Sequence, residues 1–298
     1  MRPAYATLPA PLRAAVDDLL GWPVESATTC PGGWSPGVAA RVSGPGGSAF
    51  VKAGSAEVNA LTPQMHRREA ALTPLLPPEL GCARLLGVVD EAPWFVLVLS
   101  AVEGRAPRQP WTDPELDAAL DLLARLRGVQ APPGLPTAEE QLAADLDRWP
   151  LLVGDDRLPE WELRHAARLA DLESRWREAV AGDHLLHLDV RADNLLIGPD
   201  GGAVLVDWPS AAAGDPVLDL LAFAPSVALD GGPLPPALLA RAGVPVDERV
   251  PVLVAALTGL FRWRSLQPPP PGMPSVRAFQ AAQADVLADW LPALTGWP

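Results

Sequence analysis

Apolar and polar positions alternate differently along the two parts of this chain. Residues 8–21 repeat at the helical period, with Leu12, Val16, Leu19 and Leu20 on one face and Gly21 as a stop. From Val38 the runs become short and strand-like. Val38–Val42 and Ser48–Ala53 flank a Gly-Pro-Gly-Gly turn at 44–47, which predicts a hairpin. The segment QMHRREAALT at 64–73, opened by Pro63 and closed by Pro74, predicts a helix. Another strand pair follows, Leu85–Val89 and Trp94–Leu99, joined through Asp90-Glu91-Ala92-Pro93. Beyond about residue 101 the period is helical, with helices expected at 116–126, 138–149, 160–181, 251–265 and 275–294. The stripe His165, Leu169, Leu172, Trp176 and Val180 should be the buried face of the third, which makes His165 a core histidine. Four consecutive prolines within 268–274 read as a stiff, extended connector.

One non-helical stretch interrupts the second part: His184 to Trp208, HLLHLDVRADNLLIGPDGGAVLVDW. Leu195–Ile197 and Ala203–Val206 surround Gly198-Pro-Asp-Gly-Gly202, a second predicted hairpin. A hairpin returns its ends to each other. Asn194 and Asp207 are therefore expected at the same end, with Asp189 on the loop just before. One amide and two carboxylates near a common point suit Mg²⁺, which takes carboxylate, phosphate and water oxygens. A carboxylate beside the metal can also accept a proton from an attacking hydroxyl. These are the parts that phosphoryl transfer needs. Any one of these residues alone reads more simply as a polar hairpin end, and it is the spacing of His187, Asp189, Asn194 and Asp207 that points to chemistry.

Composition narrows the partners. A net charge of −13 argues against nucleic acid or an anionic membrane surface. No apolar run near the C-terminus is long enough to cross a bilayer, and Asp17 and Asp18 interrupt the first apolar helix, unlike a signal segment. Two cysteines, Cys30 and Cys82, make no disulfide framework and suit a reducing cytosol. Of 23 Lys and Arg residues only Lys52 is lysine, retained near the end of a predicted strand in a chain that otherwise uses arginine. Asp183, Asp230, Asp247 and Glu248 would favour a cationic substrate. Arg262 and Arg264 beside Trp263 would favour an anionic or neutral one.

H-x-D-x-x-x-x-N at 187–194, followed by an apolar hairpin ending in Asp207-Trp208, resembles the aminoglycoside phosphotransferase and choline kinase family, a branch of the protein-kinase-like fold. The resemblance implies an α+β, bilobal fold. A small N-terminal nucleotide-binding lobe of antiparallel sheet and helix would span 1–100, and a larger, mainly helical C-terminal lobe with the catalytic loop and substrate site would span 101–298. It implies Asp189 as catalytic base, Asn194 and Asp207 as Mg²⁺ ligands, His187 as loop support and Arg191 as a contact to the transferring phosphate. ATP or GTP is the implied co-substrate. Lys52 would grip its phosphates, with Glu69 as carboxylate partner and Glu57 in reserve. Gly32, Gly33 and Gly37 loosely match the loop over the phosphates, and the backbone from Leu99 to Ala101 would meet the purine edge. In Gly-Asp-Pro-x-x-Asp-Leu at 214–220, Asp219 would support the catalytic loop, while Asp215 reads as a helix cap. The family usually has Gly after the His, and this chain has Leu188 there.

The implied activity is transfer of a γ-phosphoryl group to a hydroxyl of an aminoglycoside, sugar or similar metabolite. The protein would be a cytoplasmic monomer or homodimer. The untidy glycine loop leaves a second reading, a catalytically silent nucleotide-binding module of the same fold. A metallohydrolase built on His184, His187 and Asp189 lacks further ligands of suitable type.

Overall fold

The computed structural model describes residues 2–30, 32–33 and 36–298. The chain divides into two compact units. One holds the chain up to Gly104 with Val204–Ser210 and Pro270–Pro274, and the other holds Arg105–Ala203, Ala211–Pro269 and Ser275–Pro298.

The first unit contains α1 (Ala10–Leu20), β1 (Ser26–Thr29), β2 (Val38–Gly44), β3 (Gly47–Ser55), α2 (Leu61–Leu72), β4 (Leu85–Glu91) and β5 (Trp94–Ser100). Its strands form an antiparallel sheet in the order β1-β2-β3-β5-β4. The expected β2–β3 hairpin closes with Gly44 opposite Gly47, whose φ of 126° only glycine adopts without strain. Side chains alternate between the two faces, and the sequence alternates with them. Val38, Ala40, Val42, Val51, Ala53, Val96 and Val98 pack with Leu12 and Val16 of α1. Phe95, Leu97 and Leu99 cluster with Phe50 and with Ala70 of α2 on the other face. Each fully buried valine contributes about 1.5–3 kcal/mol. Helix α2 lies close on β3 because residue 54 is glycine, where a Cβ would stand 2.5 Å from Thr62 Cγ2.

The second unit contains α3 (Asp113–Leu126), α4 (Ala138–Leu142), α5 (Trp149–Leu152), α6 (Glu160–Glu173), α7 (Trp176–Ala179), β6 (His184–Leu186) and β7 (Leu195–Ile197). The chain continues through β8 (Ala203–Leu205), β9 (Ala212–Gly214), α8 (Val217–Leu229), α9 (Pro235–Arg241), α10 (Arg249–Ser265), α11 (Val276–Ala288) and α12 (Leu291–Thr295). Strand β6 pairs with β9, and β7 with β8, the hairpin expected around Gly198–Gly202. Helix α10 is buried on nearly every side and packs against α5, α6, α8 and α11. Gly259 admits the Trp149 ring against it, and the indole Nε1 donates to the Ala255 carbonyl at 2.7 Å.

Three helices expected as continuous are broken. The one expected over 138–149 ends at Leu142, and the chain restarts at Trp149 after Asp147 takes a left-handed φ of 62°. The one expected over 160–181 stops at Glu173, whose side chain accepts the Arg148 and Trp149 amides at 3.1 and 2.8 Å. Ser174 then bonds the Asp171 carbonyl at 2.7 Å, a local bond that competes with helical pairing. Leu172 is only partly buried, and buried Glu173 joins the stripe instead. The C-terminal helix breaks before Pro292, which has no amide to donate. No helix of the described residues is long and apolar enough to cross a membrane.

Candidate active site

In the first unit the alternation of β3 decides where the lysine goes. Val51 and Ala53 face α1, so Lys52 between them faces α2. There its ammonium donates to both carboxylate oxygens of Glu69, at 2.9 and 2.7 Å, and pairs with Asp207 Oδ1 at 2.9 Å. Burial alone would lower the Lys52 pKa, but Asp207 and Glu69 outweigh it and hold the group charged. Burial raises Glu69 to about 7 against the pull of Lys52, and the Asp207 charge adds to the rise. Glu57, the reserve partner, is exposed. Asp207 takes a left-handed φ of 67°, and Trp208 after it is buried with its Nε1 on the Leu205 carbonyl at 3.1 Å.

The glycine loop is described in part, since Pro31, Trp34 and Ser35 lie outside the described residues. Gly37 lies close on β3, where a Cβ would be 2.4 Å from the Ala53 carbonyl oxygen. Gly33 has a left-handed φ of 81°. Leu99 is buried near the end of β5 opposite Phe50, and Ala101 follows the strand's last residue, Ser100.

In the second unit the catalytic-loop candidates form one network. Asp219, in the first turn of α8, accepts the backbone N–H of His187 at 2.8 Å and of Leu188 at 2.7 Å. Leu188 has φ 61°, a left-handed conformation costing an L-residue about 1–2 kcal/mol. Two amide bonds to one carboxylate hold it there. Burial raises the Asp219 pKa, and the amides it accepts oppose the rise. His187 is fully buried, and its Nδ1 faces the Asp189 amide at 3.3 Å, the geometry of a neutral ring with Nδ1 as acceptor. The Asp189 side chain is held from two sides. Asn194 Nδ2 donates to its Oδ2 at 3.1 Å and to its backbone carbonyl at 2.8 Å, and Arg191 Nη1 lies 3.0 Å from its Oδ1. Arg191 also bonds Asp193 at 3.0 and 3.2 Å. Asp215 accepts the Val217 amide at 2.9 Å and pairs with Arg249.

Asn194 in the second unit and Asp207 in the first each offer the donor type that a hard divalent cation takes. The Asn194 amide nitrogen is committed to Asp189, so its Oδ1 is the atom offered to a metal, and the Asp207 carboxylate is 38% exposed. Among the described residues no group of three His, Cys, Asp or Glu is placed to hold a metal, and His184 lies beside Asp183 at 3.2 Å.

Three residues escaped the sequence reading. His66 stands one helical turn before Glu69, buried, and desolvation with the nearby Lys52 charge lowers it to about 3. The i, i+3 spacing to Glu69 was its only signal. Asp193 holds Arg191, and Arg249 holds Asp215, both through contacts that spacing does not reveal. The conflicting charge cues also separate. Arg262 is buried against Glu162 at 2.5 Å and meets Asp285 at 2.6 Å, while Arg264 pairs with Asp145. Neither cation is left to attract an anionic substrate. Asp247 pairs with Arg249, whereas Asp230 lies near the Asp193 charge and its pKa is raised by burial and by that neighbour.

No protein of curated function matches the chain in sequence. Among solved structures, a thermostable mutant of aminoglycoside phosphotransferase APH(4)-Ia, in ternary complex with ADP and hygromycin B, superposes with a TM-score of 0.63 at 14% identity, covering 96% of this chain and 99% of that one. The choline kinase LicA from Streptococcus pneumoniae gives 0.61 at 14% identity, covering 96% and 98%. A choline/ethanolamine kinase family protein from Mesorhizobium loti gives 0.57 at 16% identity, covering 92% and 89%. These likenesses establish a kinase-like α+β fold. The sequence profile of the phosphotransferase enzyme family matches residues 26–253, and the chain belongs to that family.

Proposed function

We propose that this protein is a small-molecule kinase that transfers the γ-phosphoryl group of ATP (or GTP) to a hydroxyl of an aminoglycoside, sugar or similar metabolite. The observation that carries the reading is the fixation of Asp189. Its loop is pinned by Asp219, and its carboxylate is oriented by Asn194 and Arg191. A carboxylate held this way accepts the proton of an attacking hydroxyl as the hydroxyl oxygen bonds to the γ-phosphorus and the nucleoside diphosphate leaves. Lys52, held extended by Glu69, is the group for the nucleotide phosphates. Asn194 and Asp207 would hold Mg²⁺, which when bound supplies positive charge to the phosphate oxygens. Arg191 holds Asp189 and Asp193, so positioning the base is the role its geometry supports, with the phosphate contact secondary. The first unit would be the nucleotide side and the second the acceptor side.

Asp230 favours an acceptor that carries an amine beside its hydroxyls, since Arg262 and Arg264, the cations that would attract an anion, are already paired. Two free cysteines suit a reducing compartment. The test is transfer of labelled γ-phosphate, with Mg²⁺, to a panel of aminoglycosides, amino sugars, neutral sugars and choline. Amine-bearing acceptors should be phosphorylated, and Asp189→Ala should lower turnover on the order of 10²–10⁴-fold. Near-normal transfer by that variant would remove Asp189 as the base.

A further inference from the structure

At the start of β6, the end away from the catalytic loop, the second unit holds a cavity of about 400 Å³, a size at which small molecules are bound. Its walls are Arg127 after α3, Asp183 and His184 at β6, the first turn of α8 and the chain leading into α10. Backbone bonds hold these walls in place. The Ala131 amide donates to the Asp183 carbonyl at 2.8 Å, the Leu185 amide to the Val129 carbonyl at 2.9 Å, and the Asp215 amide to the Val180 carbonyl at 2.9 Å. Gly182 lets β6 and α8 begin this close together, since a Cβ there would stand 2.6 Å from the Gly214 carbonyl and 2.7 Å from the Asp215 nitrogen. The proposed phosphoryl transfer makes no use of this cavity.

Its charges fall into two groups. Arg249 is shared between two carboxylates, with its Nε on Asp247 Oδ2 at 3.1 Å and its Nη1 on Asp215, so the three side chains carry a formal charge of −1. Asp183 adds another carboxylate, 3.2 Å from the His184 ring. Arg127 stands apart from them. Its Nη2 donates to the Ala242 carbonyl at 3.3 Å, and no carboxylate of the described residues is within ion-pair reach, so a neutral group alone answers its charge. Val217, Leu220 and Val244 supply apolar wall. An ion of either single sign would leave one of the two poles unanswered. A molecule that satisfies both carries a carboxylate for Arg127, whose planar fork takes two oxygens at once, and an ammonium for Asp247 and Asp183, joined by a short apolar body.

The cavity also touches both elements that hold the candidate catalytic loop. Strand β6 runs from His184 at the cavity to Leu186, and His187 follows. On α8, Val217 and Leu220 line the cavity while Asp219 between them accepts the His187 and Leu188 amides. Opening that clasp would draw two walls of the cavity apart, so a molecule bound there favours the closed clasp. We propose that the cavity is an effector site for a small zwitterion of the amino-acid type, whose binding steadies the loop that carries Asp189. The site is independent of which acceptor the protein phosphorylates.

The test titrates the full chain with leucine, methionine and phenylalanine by calorimetry. The tightest of the three is then compared with its own deaminated and decarboxylated forms, isocaproate and isoamylamine in the case of leucine. The zwitterion should bind about tenfold more tightly than either form, since each form lacks one ion pair. Arg127→Gln should weaken the zwitterion and the carboxylate form and leave the amine form unchanged, with Arg127→Lys recovering part of the loss. Asp247→Asn should weaken the zwitterion and the amine form and spare the carboxylate form. Hydrogen exchange at the His187 and Leu188 amides should slow when the zwitterion is bound. Absence of binding by all three amino acids would overturn the proposal. So would equal weakening of every ligand by Arg127→Gln, the mark of a disturbed fold, or loop amides whose exchange ignores the ligand.

Discussion

Replacing Asp219 tests whether the catalytic loop is held as its geometry indicates. The carboxylate is 3% exposed and accepts two amides, from His187 at 2.8 Å and Leu188 at 2.7 Å. A hydrogen bond to a charged acceptor contributes about 1.5–3 kcal/mol, and a buried donor left without a partner costs about 1–3 kcal/mol. Asp219→Ala orphans both amides, so a loss of about 3–5 kcal/mol is expected, within the range a domain of ordinary stability survives. Asp219→Asn keeps one acceptor oxygen but turns an NH₂ toward the other amide, so about 2–3 kcal/mol should be lost. Leu188 adds an internal control. Its φ of 61° is imposed at a cost of about 1–2 kcal/mol that glycine would not bear. Leu188→Gly should therefore return part of the stability lost in Asp219→Asn. Urea unfolding followed by tryptophan fluorescence measures all four proteins, with unchanged m-values confirming a two-state comparison. Turnover should fall as well, by about 100-fold, since Asp189 is the next residue and a displacement near 1 Å has that effect. Asp219→Ala within 1 kcal/mol of wild type would refute the reasoning. So would a Leu188→Gly change that only adds to the loss.

Glu69→Ala should destabilise the protein by about 2–3 kcal/mol, less than a fully orphaned buried charge because Asp207 remains on Lys52; it should also raise the KM for ATP, and unchanged unfolding and KM together would reject the pairing as functional. Glu173 is buried and raised to about 7 by desolvation, with the Arg148 and Trp149 amides opposing. A raised carboxylate binds its proton more tightly when folded, so its contribution is fully present below about pH 4.5 and is lost as pH climbs through 7. That loss is on the order of 3 kcal/mol. Glu173→Gln should flatten this part of the stability–pH profile, and an unchanged slope between pH 5 and 8 would contradict the assignment. The acceptor panel with Asp189→Ala completes the set.

Much of the candidate site was legible because it is local. Asp189, Asn194 and the apolar hairpin after them lie within two dozen residues, and turn residues and strand runs report such neighbourhoods directly. Lys52 stood out by composition, and strand alternation sufficed to place it on one face of a sheet. Which helix covered that face, and that Glu69 rather than Glu57 met it, followed only from how α2 lies on Gly54. Helix interruptions at Asp147, Glu173 and Pro292 were hidden for a similar reason. The local period continued through the first two, and a distant Arg148 and Trp149 claimed the Glu173 side chain.

By itself the sequence carried the hairpins, the main helical stretches, the candidate catalytic loop and the family, all encoded by residues close along the chain. Tertiary structure alone decided the partners of each charge: Arg191 with Asp189, Arg249 with Asp215, Arg262 with Glu162. Charges bind whatever opposite group the packed backbone brings within a few ångströms, and that proximity is fixed by the closing of the core, which no local pattern records.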